Sequence, residues 1–243
     1  MSDPGLYYID YVDLDFDPPV ITLEGDDPIY LNVNSAYVDD GATAWDDFSG
    51  TLTGSIVYGG TVDETTVGTY LLTYDVTDPA GNSATQVTRT VYVVDTTGPV
   101  ISLLGDNPVA VQYNSVYNDA GATATDNFDL SLPAVSIDDT DVDTSTLGRY
   151  YVYFSVTDSE GNVGTAIRTV NVVDTTVPEI TLLGSTPVTH EVNTPYSDAG
   201  ATASDNYDGD LTSELIIGGL PLNAGTTGTK YVTYDVTDSN GNA

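Results

Sequence analysis

The chain repeats itself three times, and that period constrains its fold more than any other feature. Val20-Ile-Thr-Leu-Glu-Gly25 returns as Val100-Ile-Ser-Leu-Leu-Gly105 and as Glu179-Ile-Thr-Leu-Leu-Gly184, so the three glycines stand 80 and 79 residues apart. Tyr37-Val-Asp-Asp-Gly-Ala42 returns as Tyr117-Asn-Asp-Ala-Gly-Ala122 and Tyr196-Ser-Asp-Ala-Gly-Ala201. A loop follows each: Trp45-Asp-Asp-Phe48, Thr125-Asp-Asn-Phe128 and Ser204-Asp-Asn-Tyr207. Later, Val76-Thr-Asp-Pro-Ala-Gly-Asn82 matches Val156-Thr-Asp-Ser-Glu-Gly-Asn162 and Val236-Thr-Asp-Ser-Asn-Gly-Asn242. A unit of about 80 residues is too long for a solenoid repeat and suits a small sandwich domain.

Within each unit the apolar period is two. Tyr70, Leu72, Tyr74 and Val76 alternate with polar residues, as do Tyr150, Val152, Phe154 and Val156 in the second copy. Alternation of β-branched and aromatic residues with polar ones predicts half-buried strands. The Asp-Xaa-Xaa-Gly-Asn that follows predicts a tight turn, with Gly free to take positive φ and Asp or Asn bonding the local backbone. Val87 to Val94 then forms the returning strand. No segment sustains a helical apolar period, so the class is all-β.

In combination, Asp-Thr-Thr-Xaa-Pro, Ala-Thr-Asp-Asn and Val-Thr-Asp-Xaa-Xaa-Gly-Asn resemble the bacterial immunoglobulin-like repeats of the hyalin-repeat and pesticidal-crystal-protein type. The resemblance covers nearly the whole chain. It implies three tandem immunoglobulin-like β-sandwiches of about seven strands, in an extended rod, on secreted or surface proteins. It implies no single activity, because such modules serve adhesins, enzymes and filaments alike. The expected boundaries are 1–16 for a leading strand, 17–95, 96–174 and 175–243 for the three repeats.

Composition excludes whole classes of function. The 243 residues include 37 Asp and Glu against 4 Lys and Arg, a formal charge of −33. Nucleic acid and anionic membrane surfaces need basic residues that this chain lacks. No apolar run has the length needed to span a bilayer, and the opening residues lack the pattern of a signal peptide. With no Cys and one His, no disulfide framework, thiolate nucleophile or sulfur-based zinc site is available. No nucleophile–base pair can be assembled, so an enzyme is not expected.

Most of the acidic residues serve solvation, but a subset recurs in turns. Asp15, Asp95 and Asp174 each end a strand. Asp46, Asp126 and Asp205 lie in the loop before the next strand, and Asp78, Asp158 and Asp238 open the last hairpin turn. In an immunoglobulin-like sandwich these three places lie at one end, so each set of carboxylates should converge. Two unit charges about 4 Å apart near a protein surface repel by roughly 4 kcal/mol, which a hard cation with oxygen ligands would relieve. Calcium is the expected ion. The opposite end of the neighbouring repeat should add ligands: Asp39 and Asp40, or Asp63 and Glu64, facing Asp95, and Asp119, or Asp141 and Asp143, facing Asp174. This resembles the cadherin arrangement of calcium at domain junctions. None of the sets has the ligand spacing of an EF-hand.

The ends of the chain add a separate expectation. Tyr7 to Asp15 corresponds to Val87 to Asp95, a strand without a preceding domain body, while Asn242 corresponds to Asn82 and Asn162, so the last strand of repeat 3 would fall beyond Ala243. A leading strand and an unfilled strand position predict head-to-tail donor-strand filaments of copies of this chain. Tyr7, Ile9, Tyr11, Val12 and Leu14 would form the interface, and Asp15 and Asp17 would lie beside Asp198 of the neighbouring subunit. The alternatives are a calcium-binding spacer of a large adhesin, or a glycan-binding module using Trp45 or Tyr207. His190 is expected in an exposed strand, Val188 to Val192. The recurring aromatics Phe48, Phe128 and Tyr207 are expected to pack between repeats.

Overall fold

The computed structural model describes residues 14–243. The chain divides into two compact units: one is built from the chain through Val100 with Ala124–Ala134 and Val156–Gly164, the other from Ile101–Thr123, Val135–Ser155 and Thr165–Ala243. The units cut across the sequence period, because the Asp126 and Asp158 loops of repeat 2 belong with repeat 1. Among the described residues all of the regular structure is strand apart from two single 3-10 turns.

Repeat 1 has seven strands: β1 (Val20–Leu23), β2 (Ile29–Asn32), β3 (Ala42–Asp46), β4 (Gly50–Thr51), β5 (Val57–Gly59), β6 (Gly68–Asp75) and β7 (Val87–Val94). They form a three-stranded sheet β1-β3-β4 and a four-stranded sheet β2-β7-β6-β5. β6 and β7 pair antiparallel with Leu72 opposite Arg89 and Tyr74 opposite Val87. β2 joins the far edge of β7 in parallel, with Ile29 opposite Val91 and Leu31 opposite Val93. The alternation read in the sequence becomes the core. Leu72, Tyr74, Val76, Val91 and Val93 are buried against Ile21, Val33, Ala42, Ala44, Leu52 and Ile56.

Repeat 2 contributes β8 (Val100–Leu103), β9 (Val109–Gln112), β10 (Ala122–Thr125), β11 (Ser136–Asp138), β12 (Gly148–Thr157) and β13 (Val163–Val173). Their sheets are β8-β10 and β11-β12-β13-β9. β9 again lies parallel to the closing strand, Val109 opposite Val170 and Val111 opposite Val172. Its core centres on Val111, Val152, Phe154 and Val170.

Repeat 3 has five strands among the described residues: β14 (Glu179–Leu182), β15 (Ala201–Asp205), β16 (Gly209–Asp210), β17 (Ile216–Gly218) and β18 (Thr233–Asp235). The sheet β14-β15-β16 is complete, but the second sheet is only β17-β18. β7 and β13 each pair with two neighbours; among the described residues, 188–191 carry no such ladder, and β18 spans three residues. Val188 to Val192 is not a strand, contrary to the sequence expectation. His190 lies exposed, with Nε2 3.1 Å from the Thr194 carbonyl oxygen. The core shrinks to Ala203, Leu211 and Val236 with Ile180 and Leu215 against it.

The hairpin turn forms as read. The amide of Asp78 donates to the Asn82 carbonyl at 3.0 Å, and those of Asp158 and Asp238 do the same to Asn162 and Asn242 at 3.0 and 2.9 Å. Gly81, Gly161 and Gly241 take φ of 98°, 94° and 91°, a region costly for any residue with a Cβ.

Candidate metal centre

Each repeat begins at a carboxylate cluster built by three turns. The first turn is the end of the preceding strand, where Asp95 Oδ1 accepts the Thr97 amide at 3.0 Å and Asp174 Oδ1 accepts the Thr176 amide at 3.1 Å. Asp15 Oδ1 likewise accepts the Asp17 amide at 3.2 Å. The second is the loop after β3, β10 and β15. Asp46 Oδ1 accepts the Phe48 and Ser49 amides at 3.1 and 2.6 Å, Asp126 those of Phe128 and Asp129 at 2.9 and 3.0 Å, and Asp205 those of Tyr207 and Asp208 at 2.7 and 3.1 Å. These are Asx turns, and they lock each side chain with one oxygen spent on the backbone.

The other oxygen is what matters. Oδ2 of Asp15, Asp46, Asp95, Asp126, Asp174 and Asp205 is buried with no hydrogen-bond partner. Buried polar atoms are ordinarily paired, and here six orphaned carboxylate oxygens fall two to each cluster. Their parent side chains are shielded: Asp46, Asp95 and Asp174 are 2%, 5% and 6% exposed.

The third turn is the hairpin. Asp158 accepts the Asn162 amide at 2.7 Å on Oδ1 and the Asn162 Nδ2 at 2.8 Å on Oδ2, and Asp78 and Asp238 repeat this geometry. The same amide nitrogen reaches back to the end of the preceding strand. Asn82, Asn162 and Asn242 Nδ2 donate to the carbonyls of Asp15, Asp95 and Asp174 at 3.2, 3.1 and 3.3 Å.

Three clusters result at these turns: Asp15, Asp46 and Asp47; Asp95, Asp126 and Asp158; and Asp174, Asp205, Asp208 and Asp238, each offering oxygens within 4.8 Å of one another, and a fourth group, Asp129, Asp158 and Glu160, shares Asp158 with the second. Two oxygens on one ion at about 2.4 Å each can be no farther apart than about 4.8 Å, so the spacing fits a shared calcium. All donors are hard oxygens. Burial raises the Asp15 carboxyl above its ordinary value; the amide of Asp17 opposes that, and the fields of Asp46, Asp78 and Asp47 add to it. Burial also works against the charge on Asp78, Asp158 and Asp238, but their Asn and backbone donors outweigh it and hold these carboxyls below the usual value.

Comparison with known proteins places the chain. A model of the bacterial surface protein Ig-like domain matches residues 21–93, 101–172 and 180–243. The chain belongs to that family. It is 32% identical to hyalin of Lytechinus variegatus over 98% of this chain and 47% of that protein. It is 28% identical to the serine-rich adhesin for platelets of Staphylococcus aureus strain N315 over 70% of this chain and 8% of that protein. The chain thus spans about half or less of the length of these relatives. Among solved structures, the lipoprotein BT2262 of Bacteroides thetaiotaomicron matches with 18% identity over 62% of this chain and 98% of that one, at a TM-score of 0.30.

Across these Ig-like repeats, the expected cluster members Asp15, Asp46, Asp95, Asp126, Asp158, Asp174, Asp205 and Asp238 are brought together. Asp78 lies outside the tight group of the first cluster, where Asp47 stands instead. Sequence reasoning missed Asp47, Asp208 and, beside Asp158, Asp129 and Glu160. Asp208 recurs as Asp129, whose Oδ2 accepts the Ser159 amide at 2.7 Å, but Ser49 breaks the pattern in repeat 1. Asp17 spends its amide on Asp15 and joins no cluster. Leu14 is 65% exposed, while Tyr7, Ile9, Tyr11 and Val12 lie outside the described residues.

Asp39 and Asp119 are placed away from the clusters of Asp95 and Asp174, while Asp198, expected beside a neighbouring copy, accepts the Tyr196 hydroxyl at 3.1 Å and the Gly200 amide at 3.0 Å. Asp39 ion-pairs with Arg89 and accepts the Tyr74 hydroxyl at 2.8 Å. Asp119 lies 3.3 Å from Arg168 Nε and accepts the Tyr117 hydroxyl at 2.6 Å. Both arginines are fully buried, and each also donates to two backbone carbonyls: those of Glu24 and Gly41 for Arg89, and of Leu104 and Gly121 for Arg168. A closing-strand arginine thereby staples the first strand to the Asp-Xaa-Gly turn. The further ligand candidates are also spent locally: Asp63 and Asp143 cap their own turns, and Glu64 accepts the Tyr37 amide.

Of the three recurring aromatics two pack as expected, while Phe48 is 60% exposed. Phe128 lies against the first core, and Tyr207 meets Tyr113 edge-on with centroids 5.0 Å apart. Trp45 projects from β3 with 61% of its surface exposed.

Proposed function

We propose that this chain is a stretch of an extracellular, adhesin-type surface protein, structural rather than catalytic, whose repeats are joined through calcium. The observation that carries the reading is the pair of buried, unpartnered Oδ2 atoms in each of three clusters. In the second cluster Asp95 comes from the end of repeat 1 while Asp126 and Asp158 come from repeat 2. In the third, Asp174 ends repeat 2 and Asp205, Asp208 and Asp238 belong to repeat 3. An ion there would tie the closing strand of one repeat to two loops of the next.

The energetics favour this reading. Carboxylate oxygens about 4.8 Å apart at a near-surface effective dielectric repel by roughly 3–4 kcal/mol per pair. Calcium removes that repulsion and fills the coordination that the Asx turns leave open. A chain with charge −33 gains further from divalent counter-ions. The membership of a bacterial surface family and the likeness to an adhesin support a surface location.

Calorimetric titration of calcium into the chelator-treated chain tests the proposal. Saturable binding at about three sites, with magnesium much weaker, is the expected result. Binding no stronger than that of a disordered acidic peptide of equal charge would overturn it.

A further inference from the structure

The second and third carboxylate clusters are built alike but carry different charge. Asp95 and Asp158 are 5% and 7% exposed, and Asp174 and Asp238 are 6% and 7% exposed. In each cluster the aspartate ending the preceding strand and the aspartate of the Asx turn hold a buried Oδ2 with no hydrogen-bond partner. Asn162 and Asn242 tie the two clusters to the preceding strand in the same way. What differs is the next aspartate of the loop. Asp208 stands within the third cluster, whereas its counterpart Asp129 stands outside the second and is grouped only with Asp158 and Glu160.

A serine hydroxyl separates the two cases. The Ser159 amide donates to Asp129 Oδ2 at 2.7 Å and its hydroxyl to Oδ1 at 2.9 Å, so both oxygens are spent. That hydroxyl also lies against Glu160 Oε2. In the third repeat the Ser239 amide donates to Asp208 Oδ2 at 3.1 Å, but the hydroxyl turns to Asn240 Oδ1 at 3.2 Å. Among the described residues no donor reaches Asp208 Oδ1, which leaves that oxygen for the cluster.

We infer that Asp208 makes the third site the tighter of the two, so that repeat 3 is tied to repeat 2 at lower calcium than repeat 2 is tied to repeat 1. The inference rests on the calcium reading above and adds an order of filling to it. Calcium affinity in oxygen sites follows the charge of the ligands and the rigidity of the site. Burial and turn geometry are matched, so four carboxylates against three leave ligand charge as the difference. The four also repel one another more strongly when no ion is present, and binding relieves more of that repulsion at the third site. Recurrence hides the distinction, because positions 129 and 208 are both Asp.

Hydrogen exchange of the full chain at stepped free calcium reads the two sites separately, through the hairpin turns 158–162 and 238–242. The turn at 238–242 should reach half protection at roughly tenfold lower calcium than the turn at 158–162, as one added charged ligand would give. Asp208→Asn keeps an acceptor for the Ser239 amide and should bring the two midpoints together, with 158–162 unmoved. Asp129→Asn removes a charge that is no ligand, and should shift the 158–162 midpoint far less. Coincident or inverted midpoints in the native chain, no shift in Asp208→Asn, or an equal shift in Asp129→Asn would overturn the order of filling and leave the calcium sites standing. No calcium-dependent protection at either turn, with no saturable uptake by calorimetry, would sink the calcium reading and this inference together.

Discussion

Asn162 Nδ2 donates to the Asp95 carbonyl oxygen at 3.1 Å while also donating to Asp158 Oδ2 at 2.8 Å. One amide thus ties the end of the first repeat's closing strand to the hairpin turn of the second. Asn162→Ala removes both bonds and should destabilise the junction by about 1–3 kcal/mol. Hydrogen exchange would show it as faster opening of residues 95–99, with the β6–β7 ladder unchanged.

The carboxylate clusters predict a stability order that reverses with calcium. Asp126→Asn removes one orphaned oxygen and one charge, so in chelator the variant should match or exceed the native chain, by up to about 3 kcal/mol. In calcium the order inverts. At a hundredfold excess over the dissociation constant an intact site adds about 2.7 kcal/mol, and the variant should lose that share of its melting response. Thermal unfolding with and without calcium reads both arms.

The arginine staples predict large effects from single changes. Arg89→Met leaves Asp39 without its cation and the Glu24 carbonyl without its donor, while the Gly41 carbonyl keeps the Glu24 amide, and should cost about 3–5 kcal/mol. Arg168→Met should do the same to repeat 2. Urea unfolding monitored by tyrosine fluorescence would detect either loss.

Asp39 also gives the fold an acid-sensitive component. Burial raises its carboxyl, but donation from Tyr74 and the Gly41 amide and the field of Arg89 outweigh that and hold it below its ordinary value of 3.8. A folded value below the unfolded one means stability that is fully present above about pH 4 and lost as pH falls through the folded value. Asp39→Asn should be less stable at pH 7, and should lose less between pH 4 and pH 2 than the native chain. Parallel stability curves for the two proteins would contradict this.

Gly164 supplies a steric test. A Cβ built there would lie 2.0 Å from the Pro99 carbonyl oxygen, and one on Gly98 2.9 Å from that of Val163. The two segments touch backbone to backbone, so Gly164→Ala must push them apart. A cost of about 1–3 kcal/mol is expected, as for overpacking in a core. Calorimetric melting would measure it.

Much of this was legible because the signals are local. Alternation in Tyr70 to Val76 predicts a half-buried strand whatever surrounds it, and Asp-Xaa-Xaa-Gly-Asn predicts its turn from glycine's freedom and the Asn side chain. The carboxylate triads were found through recurrence, which is blind where a repeat departs from the pattern, as at Ser49 in place of Asp129 and Asp208. Asp39 was misplaced for another reason: an aspartate in a turn looks alike whether it faces solvent, a metal or a guanidinium fifty residues away.

The sequence by itself determined the three-fold period, the all-β class, the strand phase and the convergence of most of the recurring aspartates, because each follows from spacing within a unit. Tertiary structure alone decided which carboxylate oxygens are left without partners, and that Arg89 and Arg168 take Asp39 and Asp119 out of the junctions. Strand pairing and burial depend on partners distant in the chain, which no local pattern names.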